Sequence, residues 1–84
     1  MKKEDTNKVL KKMLLKHKII TKKTKDKDIL AINLSKNKAI DSLKLLNLIT
    51  DLENKFNKKI FNFIIQDEKN YILRNIEKFL SKKN

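Results

Sequence analysis

No glycine and no proline occur in this 84-residue chain. That removes the two residues that most cheaply reverse a backbone. Every tight turn must be made by Asn, Asp, Ser or Lys. With Leu, Ile and Lys abundant, the bias is toward helices joined by polar loops, not toward a hairpin-rich sheet. A chain of this length folds as one domain, residues 1–84, and buries only about 60–65% of its unfolded surface. There is no Cys, so disulfides and thiolate metal sites are excluded, and any thiol chemistry must come from an attached group.

The formal net charge is +12, unevenly spread. Residues 1–28 hold 11 basic and 4 acidic side chains, residues 29–57 hold 4 and 3, and residues 58–84 hold 7 and 3. The middle is nearly neutral and the excess lies toward the ends. Such a balance suits an anionic partner, or simply a solvated lysine-rich surface. Nucleic acid is a poor match: there is one Arg (Arg74), no interleaving of aromatic and basic residues, and no recognition-helix pattern. No apolar run approaches the ~20 residues of a membrane span. The lysine-rich start lacks the apolar stretch of a signal peptide. The expected location is the cytoplasm.

Periodicity predicts a first helix over about Lys3 to Ile20, with Asp5 or Thr6 as its cap and Val9, Leu10, Met13, Leu14, Ile19 and Ile20 inward. His17, the single His, is expected as a surface residue of that helix. Thr21 to Asp28 reads as loop. Ile29, Leu30, Ile32 and Leu34 fit a buried loop or one helical turn better than a brief strand, and Ser35 to Lys38 reads as a turn. A short helix near Phe63 to Asn70 and a last helix over Ile72 to Lys82 follow. The sum is all-α: a small four-helix bundle, three main helices plus a short one, with a long loop between the first two main helices.

The strongest expectation is the central helix. Asp41 is a good N-cap, because its carboxylate can accept the free amide hydrogens of the first turn. Ser42 then takes the first helical position. The helix runs to Phe56, and Asn57 can close it in the left-handed conformation. With Ser42 at 0° and about 100° per residue, Leu48, Leu52, Leu45, Phe56 and Ile49 fall at about 240°, 280°, 300°, 320° and 340°, a core face. Leu46, Thr50 and Leu43 fall at about 40°, 80° and 100°, beside the serine. That second strip is either a partner surface or a cover for the preceding loop.

Ile40-Asp41-Ser42-Leu43, followed by Leu52-Glu53, Phe56 and Ile60, and then Tyr71, Ile76 and Leu80, resembles the acyl carrier proteins over roughly Ile29 to Leu80. The resemblance implies a four-helix bundle and a carrier of acyl or aminoacyl groups, not an enzyme. The cargo would be held as a thioester on a 4'-phosphopantetheine arm. A phosphopantetheinyl transferase would place that arm on Ser42 from coenzyme A with magnesium, and Asp41 would help position the encounter. Leu43, Leu46, Thr50 and Glu53 would line the docking side for loading and processing enzymes, in fatty-acid or related lipid metabolism. Leu45, Leu48, Ile49, Leu52, Phe56, Ile60, Ile76 and Leu80 would form a core that separates around an acyl chain. The bundle would be a monomer.

The residues themselves agree with a carrier. Asp41 fills the cap, which leaves the Ser42 hydroxyl free where a helix N-terminus favours attached negative charge. No base adjoins Ser42 in sequence, so serine alone cannot work as a nucleophile. The charge departs from the family, whose members are strongly acidic along this helix. Here Lys44, Asn47, Asn54 and Lys55 stand where acids are common, and the usual Gly after the Phe is Asn57. This implies a specialised carrier with a dedicated or acidic partner set. Two other readings are an unmodified carrier-like interaction module and a small basic nucleic-acid-binding protein.

Overall fold

A computed structural model describes residues 3–82, and among these the regular structure is helical, with no β-strand. Five α-helices and one 3-10 turn follow one another: α1 (Lys3–Lys16), α2 (Asp26–Leu30), α3 (Ser42–Phe56), α4 (Ile60–Ile64), the 3-10 turn Glu68–Tyr71, and α5 (Leu73–Ser81).

The central helix forms as its sequence dictates. Asp41 is extended (φ −87°, ψ 178°), and its carboxylate accepts the Lys44 amide hydrogen at 2.7 Å. Asn57 ends the helix in the left-handed conformation (φ 54°, ψ 46°), and its N–H reaches the Glu53 carbonyl at 2.8 Å. Leu48, Ile49 and Leu52 are buried, and Leu45 and Phe56 pack against them half-buried.

Elsewhere the boundaries differ from the sequence expectation. The first helix stops at Lys16, not Ile20. Lys18 takes φ 61°, its N–H bonds to the Leu15 carbonyl, and the Ile19 N–H bonds back to Leu14. This is the paired 6→1 and 5→2 pattern that usually closes a helix on glycine. Lacking glycine, the chain uses a lysine, and no residue type announced the stop. Thr6 is not a cap: it lies inside α1, fully buried. Asp26 to Leu30, expected partly as loop, form α2, which buries Ile29. The following residues make a single antiparallel bridge between Asn33 and Ile72, with Leu34 N–H to Tyr71 O (3.0 Å) and Leu73 N–H to Ile32 O (2.9 Å). The expected short helix over Phe63 to Asn70 is instead two pieces, α4 and the 3-10 turn.

Turns are built as the lack of glycine requires. The Asn33 side-chain oxygen accepts from the Ser35 N–H and hydroxyl, the Asn37 oxygen accepts from the Ala39 N–H, and Asp67 accepts from the Lys69 N–H. Asn and Asp thus replace backbone freedom with a side-chain acceptor.

One core joins these pieces. Helix α1 packs on α3 and α5, α4 on α3, and α2 on α5. Leu10, Leu14, Leu34, Leu48, Leu52, Ile60, Leu73 and Ile76 are almost fully buried. Truncating one such Leu to Ala typically costs about 2–5 kcal/mol. Phe63 stacks on Phe79 with ring centres 4.2 Å apart. Lys58 lies over the Phe79 ring, and its ammonium donates to the carbonyls of Phe79 (2.9 Å) and Lys82 at the end of α5, where a cation suits the helix dipole. Among the described residues no helix is long and apolar enough to cross a membrane.

Candidate functional site

The cap at Asp41 fixes Ser42 as the first residue of α3 and leaves its side chain exposed. The Lys44 N–H is taken by the Asp41 carboxylate and the Leu45 N–H by the Asp41 carbonyl. The two amides before them, of Ser42 and Leu43, have no intrahelical partner by position and face solvent at the helix start. A phosphate ester on the Ser42 oxygen would meet those donors and the positive end of a 15-residue helix.

Beside Ser42 an open cleft of about 390 Å³ enters the molecule. Its walls are Leu45, Leu46 and Ile49 from α3, Phe61 and Ile64 from α4, and Tyr71 from the 3-10 turn. Small-molecule sites run to roughly 300–1,000 Å³ and are mostly apolar with few polar groups. This one has no charged residue in its lining. Its polar contributors are the Ser42 and Tyr71 side chains, so it suits a hydrocarbon chain better than a zwitterion.

The far wall is a five-residue helix, too short to hold itself. Side chains outside it fix both ends. The Glu53 carboxylate accepts the Phe61 N–H at 3.0 Å, and the Asn70 amide donates to the Phe63 carbonyl at 2.7 Å. Glu53 had been expected on the docking side of α3. It is half-buried and turned toward α4, where it caps that helix. Leu43, Leu46 and Thr50 are exposed, as the angular arithmetic placed them.

His17 corrects another expectation. It lies past the end of α1, and its side chain is only 14% exposed. Its Nε2 is 2.6 Å from the Asp51 carboxylate, which also accepts from the Lys16 ammonium at 3.2 Å. These contacts, the His17 hydrogen bond first and the Lys16 one second, hold the Asp51 carboxyl below its ordinary 3.8. The clasp lies far from the cleft around α3, because Asp51 falls at about 180° and Leu46 at about 40° from Ser42. It pins the α1 turn to α3, away from Ser42.

Sequence reasoning placed Ser42, Asp41, Leu43, Leu46 and Thr50 correctly at the start and along the outer side of α3. It missed Phe61, Ile64 and Tyr71 as cleft walls. The available signal was the apolar cluster Ile60, Phe61, Phe63, Ile64 and Ile65, which is too rich for a five-residue helix with one buried side. No group of three or more His, Cys, Asp or Glu suited to a metal occurs among the described residues. No protein-family model matches the sequence, and no curated protein or solved structure matches it significantly.

Proposed function

We propose that this protein is a small cytoplasmic carrier, folded as an acyl-carrier-like helical bundle. It would be modified on Ser42 with 4'-phosphopantetheine and would present acyl intermediates to partner enzymes without being an enzyme itself. One observation carries the reading. A capped helix start exposes a free serine hydroxyl, and the apolar cleft opens directly beside it.

The residues present fit the arm. Its phosphodiester would lie at the positive end of α3, where Asp41 has fixed the backbone. When bound, the arm supplies the thiol that this cysteine-free chain lacks. Everything else falls to the chain. Ser42 provides the ester oxygen, and Asp41 holds the serine at the first turn and orients it toward an incoming transferase. Leu45, Leu46, Ile49, Phe61 and Ile64 remove an acyl chain from water, at about 0.8 kcal/mol per buried methylene. The uncharged lining favours plain acyl cargo over aminoacyl cargo, whose ammonium would meet no carboxylate there. The basic charge makes it a specialised carrier, with loading and processing enzymes of its own.

The test is the intact mass after incubation with coenzyme A, magnesium and a broad-specificity phosphopantetheinyl transferase. Wild type is expected to gain one phosphopantetheine and Ser42→Ala none, with both proteins equally helical because Asp41 still caps α3. If several transferases leave the wild type unchanged, the carrier reading fails and an unmodified interaction module takes its place.

A further inference from the structure

Between Lys11 and Lys25 the chain has seven lysines and no acid. The segment covers the second half of α1, the left-handed turn at Lys18 and the loop up to α2. The fold takes its apolar residues inward and leaves the lysines out. On α1, Leu10 and Leu14 are buried, while Lys8, Lys11 and Lys12 lie within about 60° of Leu15 on the opposite side. Leu15 itself is 38% exposed. Beyond the turn, Ile20 is buried and Ile19 packs against the core. The loop then closes on itself. The Thr21 N–H donates to the Thr24 hydroxyl oxygen at 3.1 Å, and the Thr24 N–H donates to the Thr21 carbonyl at 3.1 Å. That turn holds Lys22 and Lys23 at its tip, both exposed.

The nearest acids are largely bonded already. Asp26 is held by Lys11, and Asp51 by Lys16 and His17. Asp28 is exposed at the far edge of the segment, and Glu4 and Asp5 lie at the other end of α1, about 10 Å or more along the helix from Lys12. Against them stand Lys12, Lys18, Lys22, Lys23 and Lys25, all exposed and none in a salt bridge among the described residues. Lys55, about 40° around α3 from Asp51, adds an exposed cation on the same side.

We propose that this face, the outer side of α1 with the loop after it, binds the surface of an anionic lipid bilayer. Clusters of roughly 4–8 cations on an amphipathic helix suit such a surface, and each lysine near it raises partitioning roughly fivefold. Leu15, set among the lysines, supplies an apolar side chain to bury at the headgroup boundary. Nucleic acid is matched less well. Geometric recognition of phosphate uses arginine, and Arg74 lies outside the segment. Single strands stack on aromatic side chains, and none occurs before Phe56. An acidic protein is matched less well too, because an interface needs an apolar centre and the segment exposes one large hydrophobic side chain, Leu15.

The location keeps the rest of the molecule free. The clasp on Asp51 ties this face to α3 about 180° around from Ser42 and roughly 13 Å along the helix. A bilayer bound there leaves Ser42 and its cleft uncovered, and the binding does not depend on Ser42 being modified.

The test is co-sedimentation of the full chain with vesicles of phosphatidylcholine, or of phosphatidylcholine and phosphatidylglycerol in equal parts. Partitioning onto the anionic vesicles is expected to exceed that onto the neutral ones at least about 100-fold in 0.1 M NaCl, and to lose most of that excess by about 0.5 M. Lys22→Gln/Lys23→Gln/Lys25→Gln should lower it at least about tenfold, and no side-chain bond of the fold is lost with those three residues. Lys38→Gln/Lys59→Gln/Lys69→Gln removes the same charge from exposed lysines elsewhere and should cost less than about threefold. Leu15→Asn should weaken the vesicle complex and leave binding to duplex DNA unchanged. Amide signals should broaden from Lys12 to Lys25 as vesicles are added. Equal partitioning onto neutral and anionic vesicles, equal losses in the two triple variants, or tighter binding per phosphate to duplex DNA than to the anionic vesicles would overturn the proposal. Ser42→Ala should bind vesicles as wild type does, so a failure here leaves the carrier reading standing, and a failed mass gain on Ser42 leaves this inference standing.

Discussion

Asp51 shows how a single side chain can be removed from the surface chemistry its sequence position suggests. On the bare helix it is an exposed acid, about 180° around α3 from Ser42. In the fold its carboxylate receives His17 and Lys16, and its carboxyl is held below 3.8 by the His17 hydrogen bond first and the Lys16 one second. A folded value below the unfolded one stabilises the native state above about pH 3.8, and that contribution is lost as the pH falls through the folded value. Asp51→Asn should therefore lower the Tm at neutral pH, while the gap between variant and wild type closes as the pH is taken from about 5 to about 2. The carboxylate remains 31% exposed, so solvent screening keeps the effect modest. Thermal melts across that range check it. A gap that stays constant would assign the loss to shape or hydrogen bonding and not to ionisation. Glu53 follows the same logic: a residue that reads as a surface acid holds the cleft wall in place through the Phe61 amide.

At the scale of elements, the chain is limited by where it can turn without glycine. Lys18 holds φ 61° to end α1, a conformation that costs a side chain with a Cβ about 1–2 kcal/mol. Lys18→Gly is expected to stabilise the protein by about 0.5–1 kcal/mol, because the relief of strain is partly offset by a freer unfolded chain. Denaturant melts with unchanged slope would show it, and a loss of stability would mean that the Lys18 stem packs usefully beyond the turn. The same position explains what the sequence revealed. Helix α3 was legible from Asp41 to Asn57 because its caps and its periodicity are local signals that agree. The end of α1 was not, because a lysine in the left-handed region has no compositional signature, and Ile19 and Ile20 continue the apolar rhythm beyond the stop. Helix α2 was hidden in a polar run whose only buried residue is Ile29. The exposed strip of Leu43, Leu46 and Thr50 followed from angles on one helix. The cleft did not, because Phe61, Ile64 and Tyr71 reach Ser42 only through the packing of α4 and the 3-10 turn against α3.

For the whole molecule, the +12 charge demands a physical account, because it does not help the fold. Only three acid–base contacts occur among the described residues: Lys11 with Asp26, and Lys16 and His17 with Asp51. Other acids cap helices and turns, as Asp41, Glu53 and Asp67 do, and bring no cation in from the surface. Excess positive charge opposes compaction through self-repulsion. Salt screens that repulsion over about 10 Å at 0.1 M, and it weakens the few exposed pairs as well. Repulsion among 22 cations should outweigh three pairs, so the Tm should rise as NaCl goes from low concentration to about 0.5 M. A gain of about 1 kcal/mol would appear as roughly 4–8 °C in a domain of this size. Scans in NaCl, repeated with a neutral osmolyte as control, separate screening from general salting-out. A Tm that falls with salt would mean that the Asp51 clasp and the Lys11–Asp26 pair dominate and that the surface is already balanced. A Tm that rises means the charge is retained at the expense of stability. That is the behaviour expected of a surface whose cations are held for a partner, and salt would then strengthen the fold while it weakens the docked complex.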